Sequence, residues 1–261
     1  MSEQSRRSDR SPAQVDCLWP LPTVLPTLKG GQVHVWCAGL EADREQLHLL
    51  RALLSSDELK QAEGFRFDRH REWFIVRRAV LRKLVAHYLG ETPAGITFGY
   101  GPNGKPYVLK PVTGGLHFNL SHSNAVAVYA FAADGEVGID VEEIRQLPDA
   151  SAIALRYFSS DENAALRRVN AAQRLDAFFN CWTRKEAYVK ATGEGLACPL
   201  DSFCVDVINI EPGRLIPVDP RVGNAQWWLR SLIPAVGFVG AVAAGGQEWA
   251  LEAWRWGVNL P

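Results

Sequence analysis

Apolar residues recur at helical spacing in two long stretches of the chain. Residues 71–89 carry apolar or aromatic side chains every three or four positions, and Gly90 is suited to end a helix. Residues 176–191 show the same periodicity and stop before Gly193. The pattern predicts two long helices, one packed through Phe74, Ala79, Leu81, Leu84, Val85 and Tyr88, the other through Phe178, Phe179, Trp182, Ala187 and Val189.

Short runs of β-branched and aromatic residues between turn signals predict strands. Ahead of them, residues 1–16 are polar, of mixed charge and without periodicity, which predicts a disordered tail. A proline-rich stretch follows, and regular structure is expected from Val33 onward. We expect strands at residues 33–39, 96–99, 106–109, 116–120, 125–132, 137–142, 202–209, 226–232 and 236–244.

The chain carries an internal repeat with a shift of 104 residues, from 55 to 159. The apolar positions of residues 33–40 recur in residues 137–144, and Ser-Ser-Asp-Glu at 55–58 recurs at 159–162. Both tetrapeptides are capping boxes that can begin a helix. The repeat predicts an α+β fold of two similar halves, each a small antiparallel sheet packed against a long helix. We assign the N-terminal half to residues 17–133 and the C-terminal half to residues 134–261.

Composition and charge narrow the possible functions. The 261 residues are 47% hydrophobic and 22% charged, and the formal net charge is −1. This balance gives no electrostatic reason to expect a dedicated nucleic-acid binder. The five cysteines include no CxxC pair, which argues against a zinc site or a disulfide framework. The N-terminal segment lacks the apolar core of a secretion signal. The apolar stretch at 232–244 is too short to cross a bilayer. We therefore expect a cytoplasmic protein that binds neither nucleic acid nor membrane.

Two carboxylates share one face of a predicted strand. In Val137-Gly-Ile-Asp-Val-Glu142, Asp140 and Glu142 alternate with apolar residues and so point the same way. Gly138 lies on that face and leaves room for another group to approach the backbone. Mg²⁺ prefers ligands of this kind, together with phosphate oxygens. An acidic, solvated strand face is the alternative interpretation, and it is the more common one for such a pattern taken alone.

A third carboxylate lies on the second long helix. Trp182, Glu186 and Lys190 are spaced by four residues and therefore share one helix face. An exposed Glu–Lys pair would explain this spacing equally well. The neighbouring aromatic residues Phe179 and Trp182 mark that side as buried, which favours a functional or tightly paired arrangement.

Three further segments offer groups that can bind phosphate. Ser121, His122 and Ser123 follow a predicted strand, and the turn Gly101-Pro-Asn-Gly-Lys-Pro106 presents Lys105. A polar turn and a solvated helix face are the alternatives for these segments. The basic residues around the first long helix could form a phosphate clamp, and they are Arg66, Arg69, Arg71, Arg77, Arg78 and Arg82.

Taken together, these groups suit displacement at phosphorus on a phosphate-rich substrate with bound Mg²⁺. A binding module without catalysis would keep the basic groups but would not need Asp140, Glu142, Glu186 and Lys190. A Mg²⁺-dependent phosphohydrolase would use the carboxylates but would not explain the basic clamp and the duplicated halves.

The order and spacing of these motifs resemble those of the Sfp-type 4′-phosphopantetheinyl transferases. The resemblance rests on Gly-Ile-Asp-Val-Glu at 138–142 and Trp-Thr-Arg-Lys-Glu-Ala-Tyr-Val-Lys at 182–190. Asn-Leu-Ser-His-Ser at 119–123 and Gly-Lys-Pro at 104–106 fit the same family. Length and repeat are similar to its single-chain, pseudo-dimeric branch, so the resemblance implies a monomer.

The resemblance implies an activity and a role for each matching residue. The enzyme would transfer the 4′-phosphopantetheine arm of coenzyme A to a serine of an apo acyl, polyketide or nonribosomal peptide carrier protein, releasing adenosine 3′,5′-bisphosphate. It would need Mg²⁺, with Mn²⁺ as the alternative. The implied metal ligands are Asp140, Glu142 and Glu186. The implied catalytic residues are Glu186, as the base directly or through water, and Lys190, which would stabilise charge on the transferred phosphate.

The same resemblance implies a binding site for coenzyme A. Its implied ligands are Arg71, Arg78, Lys105, Pro106, Ser121 and His122. The alignment leaves open whether Arg77 or Arg78 contacts the phosphates. Glu162 also matches an acidic position of the family, but the resemblance assigns it no role.

Overall fold

The computed structural model describes residues 17–110, 115–208, 213, 215–219, 226–246 and 248–257. The predicted disordered tail lies outside these residues, as does the last residue of the strand predicted at 202–209. In the described part of the chain, no helix combines the length and the apolar character that a membrane span requires.

The two longest helices are those that the apolar periodicity predicts. The helix predicted at 71–89 extends over Asp68–Leu89, and the one predicted at 176–191 extends over Arg174–Thr192. Both end at a glycine with positive φ, 68° at Gly90 and 71° at Gly193, a conformation that costs glycine little. The helices are α1 (Arg44–Arg51), α2 (Ser56–Glu63), α3 (Asp68–Leu89), α4 (Ala150–Tyr157), α5 (Ser160–Arg168) and α6 (Arg174–Thr192).

Each predicted strand position holds a strand, and two further strands occur that the sequence did not indicate. One of them has only three residues, and the other is rich in alanine, leucine and glutamate, which do not favour strands. The strands are β1 (Gln32–Gly39), β2 (Thr97–Tyr100), β3 (Pro106–Lys110), β4 (His117–Ser123), β5 (Val126–Ala132), β6 (Val137–Glu143), β7 (Phe203–Val205), β8 (Leu215–Pro217), β9 (Trp227–Leu232), β10 (Phe238–Gly245) and β11 (Ala250–Arg255).

The internal repeat corresponds to two sheets with the same strand order. In the first half β1, β5 and β4 pair in that order, and in the second half β6, β10 and β9 do so, all antiparallel. Helix α3 packs against the first sheet and α6 against the second. Ser55 and Ser159 each complete a capping box at the start of α2 and α5. The predicted α+β fold of two similar halves is confirmed.

The last strand crosses between the two halves. β11 pairs with β1 in parallel, so that Trp254 lies beside Trp36 and the first sheet gains a fourth strand. The sheet of the N-terminal half is therefore mixed, whereas the sequence predicted a purely antiparallel one. A strand can add at this edge because β1 has backbone groups to share on the side away from β5. The boundary between residues 133 and 134 stays a prediction, and β11 is a contact that crosses it.

A buried ion pair joins the capped helix to the long helix in each half. Glu58 of α2 accepts hydrogen bonds from Arg78 and Arg82 of α3, at 2.6 Å for the closest contact to each. Glu162 of α5 lies 2.8 Å from Lys185 of α6, and both side chains are fully buried. Glu162 thus pairs inside the second half, away from the carboxylates of β6.

Helix α6 approaches strand β6 very closely at Gly138. A Cβ atom at this position would lie 2.1 Å from the carbonyl oxygen of Ala187 and 2.3 Å from the amide nitrogen of Ala191. The group for which Gly138 leaves room is therefore the backbone of α6 itself. This close packing brings Glu186 and Lys190 of α6 up to the acidic face of β6.

Candidate active site

Side chains from both halves meet where β4 lies beside β6 and α6. The Nζ atom of Lys190 lies 2.6 Å from Oδ1 of Asp140 and 2.9 Å from Oγ of Ser121. Oγ of Ser121 also donates to Oδ1 of Asp140 at 2.7 Å. The serine comes from the N-terminal half, whereas the aspartate and the lysine come from the C-terminal half, so the cluster bridges the two.

The carboxylates of β6 are only partly satisfied by these contacts. Oδ2 of Asp140 is buried and has no hydrogen-bond partner among the described residues. Glu142, one step along the same face, accepts a hydrogen bond from Ser123 at 2.9 Å and lies 3.3 Å from Arg145. A buried carboxylate oxygen without a partner is costly, and a bound cation or a hydrogen-bond donor would satisfy it.

Glu186 adds a third carboxylate to the cluster. Partial burial raises its pKa, the charges of Asp140 and Glu142 raise it further, and Lys190 opposes them. The predicted metal ligands are therefore electrostatic neighbours. Nevertheless, no group of three or more His, Cys, Asp or Glu residues in the described part of the chain has a ready metal-binding arrangement. The ammonium group of Lys190 contacts Asp140. Asp140 is the carboxylate that would bind a metal together with Glu142 and Glu186.

A cavity of about 670 Å³ opens on the N-terminal side of this cluster. Its wall carries cationic and hydrogen-bonding groups from α3 and β4, which suits the phosphates of a nucleotide. Its lining residues include Arg77, Arg78, Tyr100, Ser121 and His122.

The neighbouring arginines of α3 differ in what they contact. Arg78 is buried, donates twice to Glu58 and donates to the hydroxyl of Tyr100 at 2.9 Å. Arg77 lies over the ring of Phe74 at 5.5 Å and has no acidic partner among the described residues. Burial lowers the pKa of Arg77, but an arginine remains charged at neutral pH. Of these two arginines, Arg77 is the one whose guanidinium group is not paired with a carboxylate within the described residues.

Two further predicted ligands of coenzyme A, His122 and Arg71, differ in whether they line the first cavity. Partial desolvation of the ring lowers the pKa of His122 to about 4, and the charges of Arg77 and Lys190 contribute. At neutral pH this imidazole is a neutral hydrogen-bonding group on the cavity wall. Arg71 pairs with Asp68 one turn away on the helix surface and does not appear among the described residues that line the cavities of this site.

A second cavity, of about 790 Å³, is lined by Glu186 and Lys190. Lys105 and Pro106 line the same cavity. The ammonium group of Lys105 donates to the carbonyl of Ala191 at 2.7 Å and pairs with Glu136. The structure thus places Lys105 and Pro106 beside the carboxylate cluster and apart from the arginines of the first cavity.

Two residues of the site were not singled out by the sequence. The sequence marks Glu58 only as a helix-capping residue, although its carboxylate also binds Arg78 and Arg82. Tyr100, which contacts Arg78 from β2, carries no signal in its own sequence context. Both depend on contacts between distant segments.

The repeated fold builds this cluster at only one of its two equivalent positions in the described chain. At the shift of 104 residues, Trp36 and Ala38 of β1 correspond to Asp140 and Glu142 of β6. Trp36 is fully buried and packs against Trp254 of β11 at a ring separation of 5.3 Å. An aromatic core with a docked strand thus occupies the position where the other half carries carboxylates.

The fold and site define an enzyme class: a two-half α+β protein with carboxylates, a lysine and a basic cavity at the boundary, suited to transfer of a phosphate-linked group. Comparison with known proteins supports this enzyme class. The family model described as the 4′-phosphopantetheinyl transferase superfamily matches residues 136–243, and the model for the N-terminal region of 4′-phosphopantetheinyl transferases matches residues 40–134.

Individual relatives extend over most of the chain. The 4′-phosphopantetheinyl transferase HetI of Nostoc sp. is 37% identical over 231 residues, which cover 88% of this chain and 94% of HetI. A 4′-phosphopantetheinyl transferase of Bacillus subtilis is 35% identical over 60% of this chain and 67% of its own length. The transferase Sfp of Bacillus subtilis strain 168 is 30% identical over 64% of this chain and 74% of its own length.

This chain belongs to the 4′-phosphopantetheinyl transferase superfamily, and the resemblance seen in its motifs is confirmed. It is an enzyme that transfers phosphopantetheine from coenzyme A to carrier proteins. A solved structure, the holo-[acyl-carrier-protein] synthase of Thermotoga maritima, aligns at a TM-score of 0.32 and 22% identity over 43% of this chain and 63% of that chain, which is too slight a likeness to add to this conclusion.

Proposed function

We propose that Asp140, Glu142 and Glu186 hold a divalent cation, Mg²⁺ or alternatively Mn²⁺, during transfer of the phosphopantetheine arm. The observation that carries the proposal is the buried Oδ2 of Asp140, which has no hydrogen-bond partner in the described part of the chain and lies beside two further carboxylates. Hard carboxylate oxygens are the donors that Mg²⁺ prefers. When bound, such a cation neutralises charge on the pyrophosphate of coenzyme A.

The first cavity is proposed to take the nucleotide part of coenzyme A. Arg77 supplies a guanidinium group that has no acidic partner among the described residues, and Ser121 and His122 supply hydrogen bonds. The family resemblance implies Arg78 as a ligand of coenzyme A. We propose that Arg78 instead forms part of the cavity wall, because Glu58 already neutralises its charge. Arg71 is not included in this set because it pairs with Asp68 outside the cavity.

Catalysis is assigned to the two α6 side chains. Glu186 accepts the proton from the hydroxyl of the carrier serine, directly or through water, as a general base. Lys190 stabilises the charge on the transferred phosphate.

The ammonium group of Lys105 has three donors, of which the Ala191 carbonyl and Glu136 occupy two, so one remains for a phosphate oxygen. Pro106 holds this lysine on a stiff loop.

We further propose that the chain works as a cytoplasmic monomer on an apo acyl, polyketide or nonribosomal peptide carrier. A monomer suffices because both halves of the site belong to one chain. The products are the holo carrier and adenosine 3′,5′-bisphosphate.

Mass spectrometry of an apo carrier protein tests the metal and its ligands. With coenzyme A and Mg²⁺ we expect the carrier to gain the mass of one phosphopantetheine group, and EDTA should abolish the gain. Asp140→Ala should abolish it as well, since loss of a metal ligand costs several kcal/mol of transition-state stabilisation, far beyond tenfold in rate. Asp149→Ala, at an exposed aspartate outside both cavities, is the matched control. A rate for Asp140→Ala within threefold of the wild type would refute the metal assignment.

A further inference from the structure

A turn of the N-terminal half contacts the end of the helix that carries Glu186 and Lys190. In the turn between β2 and β3, Nδ2 of Asn103 donates to the carbonyls of Gly193 and Glu194, each at 2.9 Å. From the same turn, Lys105 donates to the carbonyl of Ala191 at 2.7 Å. We call these three contacts the clasp. The carbonyls of Ala191 and Gly193 are among those that the end of a helix leaves without helical partners, whereas the carbonyl of Glu194, just beyond α6, also accepts from the amide of Ala197 at 3.2 Å.

Both sides of the clasp are shaped for it. Gly193 and Gly195 have φ angles of 71° and 56°, which turn the chain away from α6 and present the carbonyls to the other half. A Cβ atom at Gly195 would lie only 3.0 Å from Cβ of Asn103, so glycine permits the close approach. The turn itself is closed by hydrogen bonds from Gly101 to Lys105 and from Gly104 to Gly101, both 2.9 Å.

The clasp lies close to the reacting groups. Gly193 follows Lys190 by less than one helical turn. Asn103, Gly193 and Gly195 also line the second cavity, together with Glu186 and Lys190. Lys190 reaches both Ser121 of the first half and Asp140 of the second. A shift of the last turn of α6 would therefore change the position of the ammonium group relative to both halves.

We propose that Asn103 is a positioning residue, which holds the C-terminal turn of α6 against the N-terminal half and so sets Lys190 and Glu186 in register with Ser121 and Asp140. This inference rests on the catalytic roles proposed above for Glu186 and Lys190. Asn103 acts through α6 and is exposed itself, so substitutions there should leave the fold intact.

The isosteric variant Asn103→Asp tests the proposal, because aspartate keeps the shape, loses the amide donors and sets a negative charge against the carbonyl end of the helix. We expect kcat to fall about tenfold, as misplacement of catalytic groups commonly does, while the KM for coenzyme A stays within about twofold. Asn103→Gln keeps the donors on a longer side chain and should recover most of the rate. Hydrogen exchange should become faster in the last turn of α6 in Asn103→Asp and stay unchanged in α3.

Asn170→Asp is the matched control, since Asn170 is also exposed but its side chain accepts a hydrogen bond from Ala172, a role that aspartate keeps. The proposal is overturned if Asn103→Asp retains the wild-type kcat, if its whole loss lies in KM, or if Asn103→Gln fails to recover the rate. Unchanged kcat in Lys190→Ala and Glu186→Gln would instead refute the catalytic roles. Hydrogen exchange would then decide the clasp on its own, and unchanged exchange in Asn103→Asp would overturn it.

Discussion

The ammonium group of Lys190 lies 2.6 Å from Oδ1 of Asp140, and the two residues are 50 positions apart in the chain. Lys190 also lowers the pKa of Glu186, which burial and the neighbouring carboxylates raise. One lysine on α6 therefore offsets part of the repulsion among three carboxylates. The pair is a component of a charged cluster and differs in this from an isolated surface salt bridge.

Lys190→Ala should move the acidic limb of the pH–rate profile to higher pH. Without the lysine, the pKa of Glu186 rises further, so a higher pH is needed to deprotonate the base. The kcat should also fall, because the charge on the transferred phosphate loses a stabilising cation. Steady-state kinetics across a pH series measure both effects. An unchanged kcat and profile would reduce the Lys190–Asp140 pair to a structural contact.

Glu186→Gln should lower kcat by roughly 10²–10⁴ while coenzyme A binding is largely kept. Glutamine retains the shape and one oxygen ligand but cannot accept a proton at neutral pH. Kinetics at saturating coenzyme A, with a titration of Mg²⁺ and Mn²⁺, separate the base from the metal ligand. Recovery of most of the activity at high metal concentration would show that Glu186 is a ligand and not the base.

Arg77→Ala should raise the KM for coenzyme A and leave kcat nearly unchanged. The 3′-phosphate of coenzyme A is remote from the reacting phosphorus, so its contacts stabilise the bound substrate and the transition state about equally. Dephospho-coenzyme A should then be used about equally by the variant and the wild type. Arg78→Ala is the comparison, and it should chiefly lower stability, because it removes one of the two partners of Glu58. The opposite pattern, with KM raised only in Arg78→Ala, would assign the phosphate contact to Arg78.

Glu58→Gln should lower the free energy of unfolding by about 3 kcal/mol at pH 7, the scale of breaking a buried ion pair. Glutamine can still accept from the Ser55 amide of the capping box, but it removes the charge and turns the oxygen that accepts from Arg78 into an amide donor. Burial alone would raise the pKa of Glu58, but Arg78 and Arg82 lower it below its ordinary value. The ionised carboxylate thus stabilises the fold fully above its unfolded-state pKa of about 4.3, and this contribution is lost as pH falls through the folded-state pKa.

Urea unfolding at several pH values measures this contribution. The difference between Glu58→Gln and the wild type should shrink as the solution is acidified below about pH 4.3. Glu63→Gln is the control, at an exposed glutamate 3.4 Å from Arg51. It should change the free energy of unfolding by less than about 1 kcal/mol at every pH of the series. A difference for Glu58→Gln that is independent of pH would contradict the role of its charge.

Gly138→Ala should destabilise the protein and abolish activity together. The added methyl group would lie 2.1 Å from the Ala187 carbonyl oxygen, so α6 must move, and overpacking of this kind costs about 1–3 kcal/mol or more. Thermal unfolding and a transfer assay measure the two effects. Gly101→Ala is the control, because its nearest contact would be an ordinary 3.6 Å. A stable and active Gly138→Ala variant would show that the approach of β6 and α6 can relax.

The features that depend on spacing along the chain were predictable from the sequence. The helix predicted at 71–89 occupies Asp68–Leu89, and both predicted glycine stops end their helices. The capping boxes at Ser55 and Ser159 form as predicted. Such signals act between residues within one or two turns, so the local sequence is sufficient to specify them. The shared face of Asp140 and Glu142 follows from strand alternation for the same reason.

Other features required contacts between segments far apart in the chain. Arg77 and Arg78 are adjacent on α3, and their environments differ because, within the described part of the chain, Glu58 and Tyr100 contact Arg78 and do not contact Arg77. The pairing of β11 with β1 joins the chain near its two ends, and no periodicity within either strand encodes a partner. The sequence by itself thus determined the two long helices, most of the strands, the repeat and the residue types of the site. The tertiary structure decided which charges neutralise each other, because an ion pair depends on the distance between side chains in space and not on their separation in the chain.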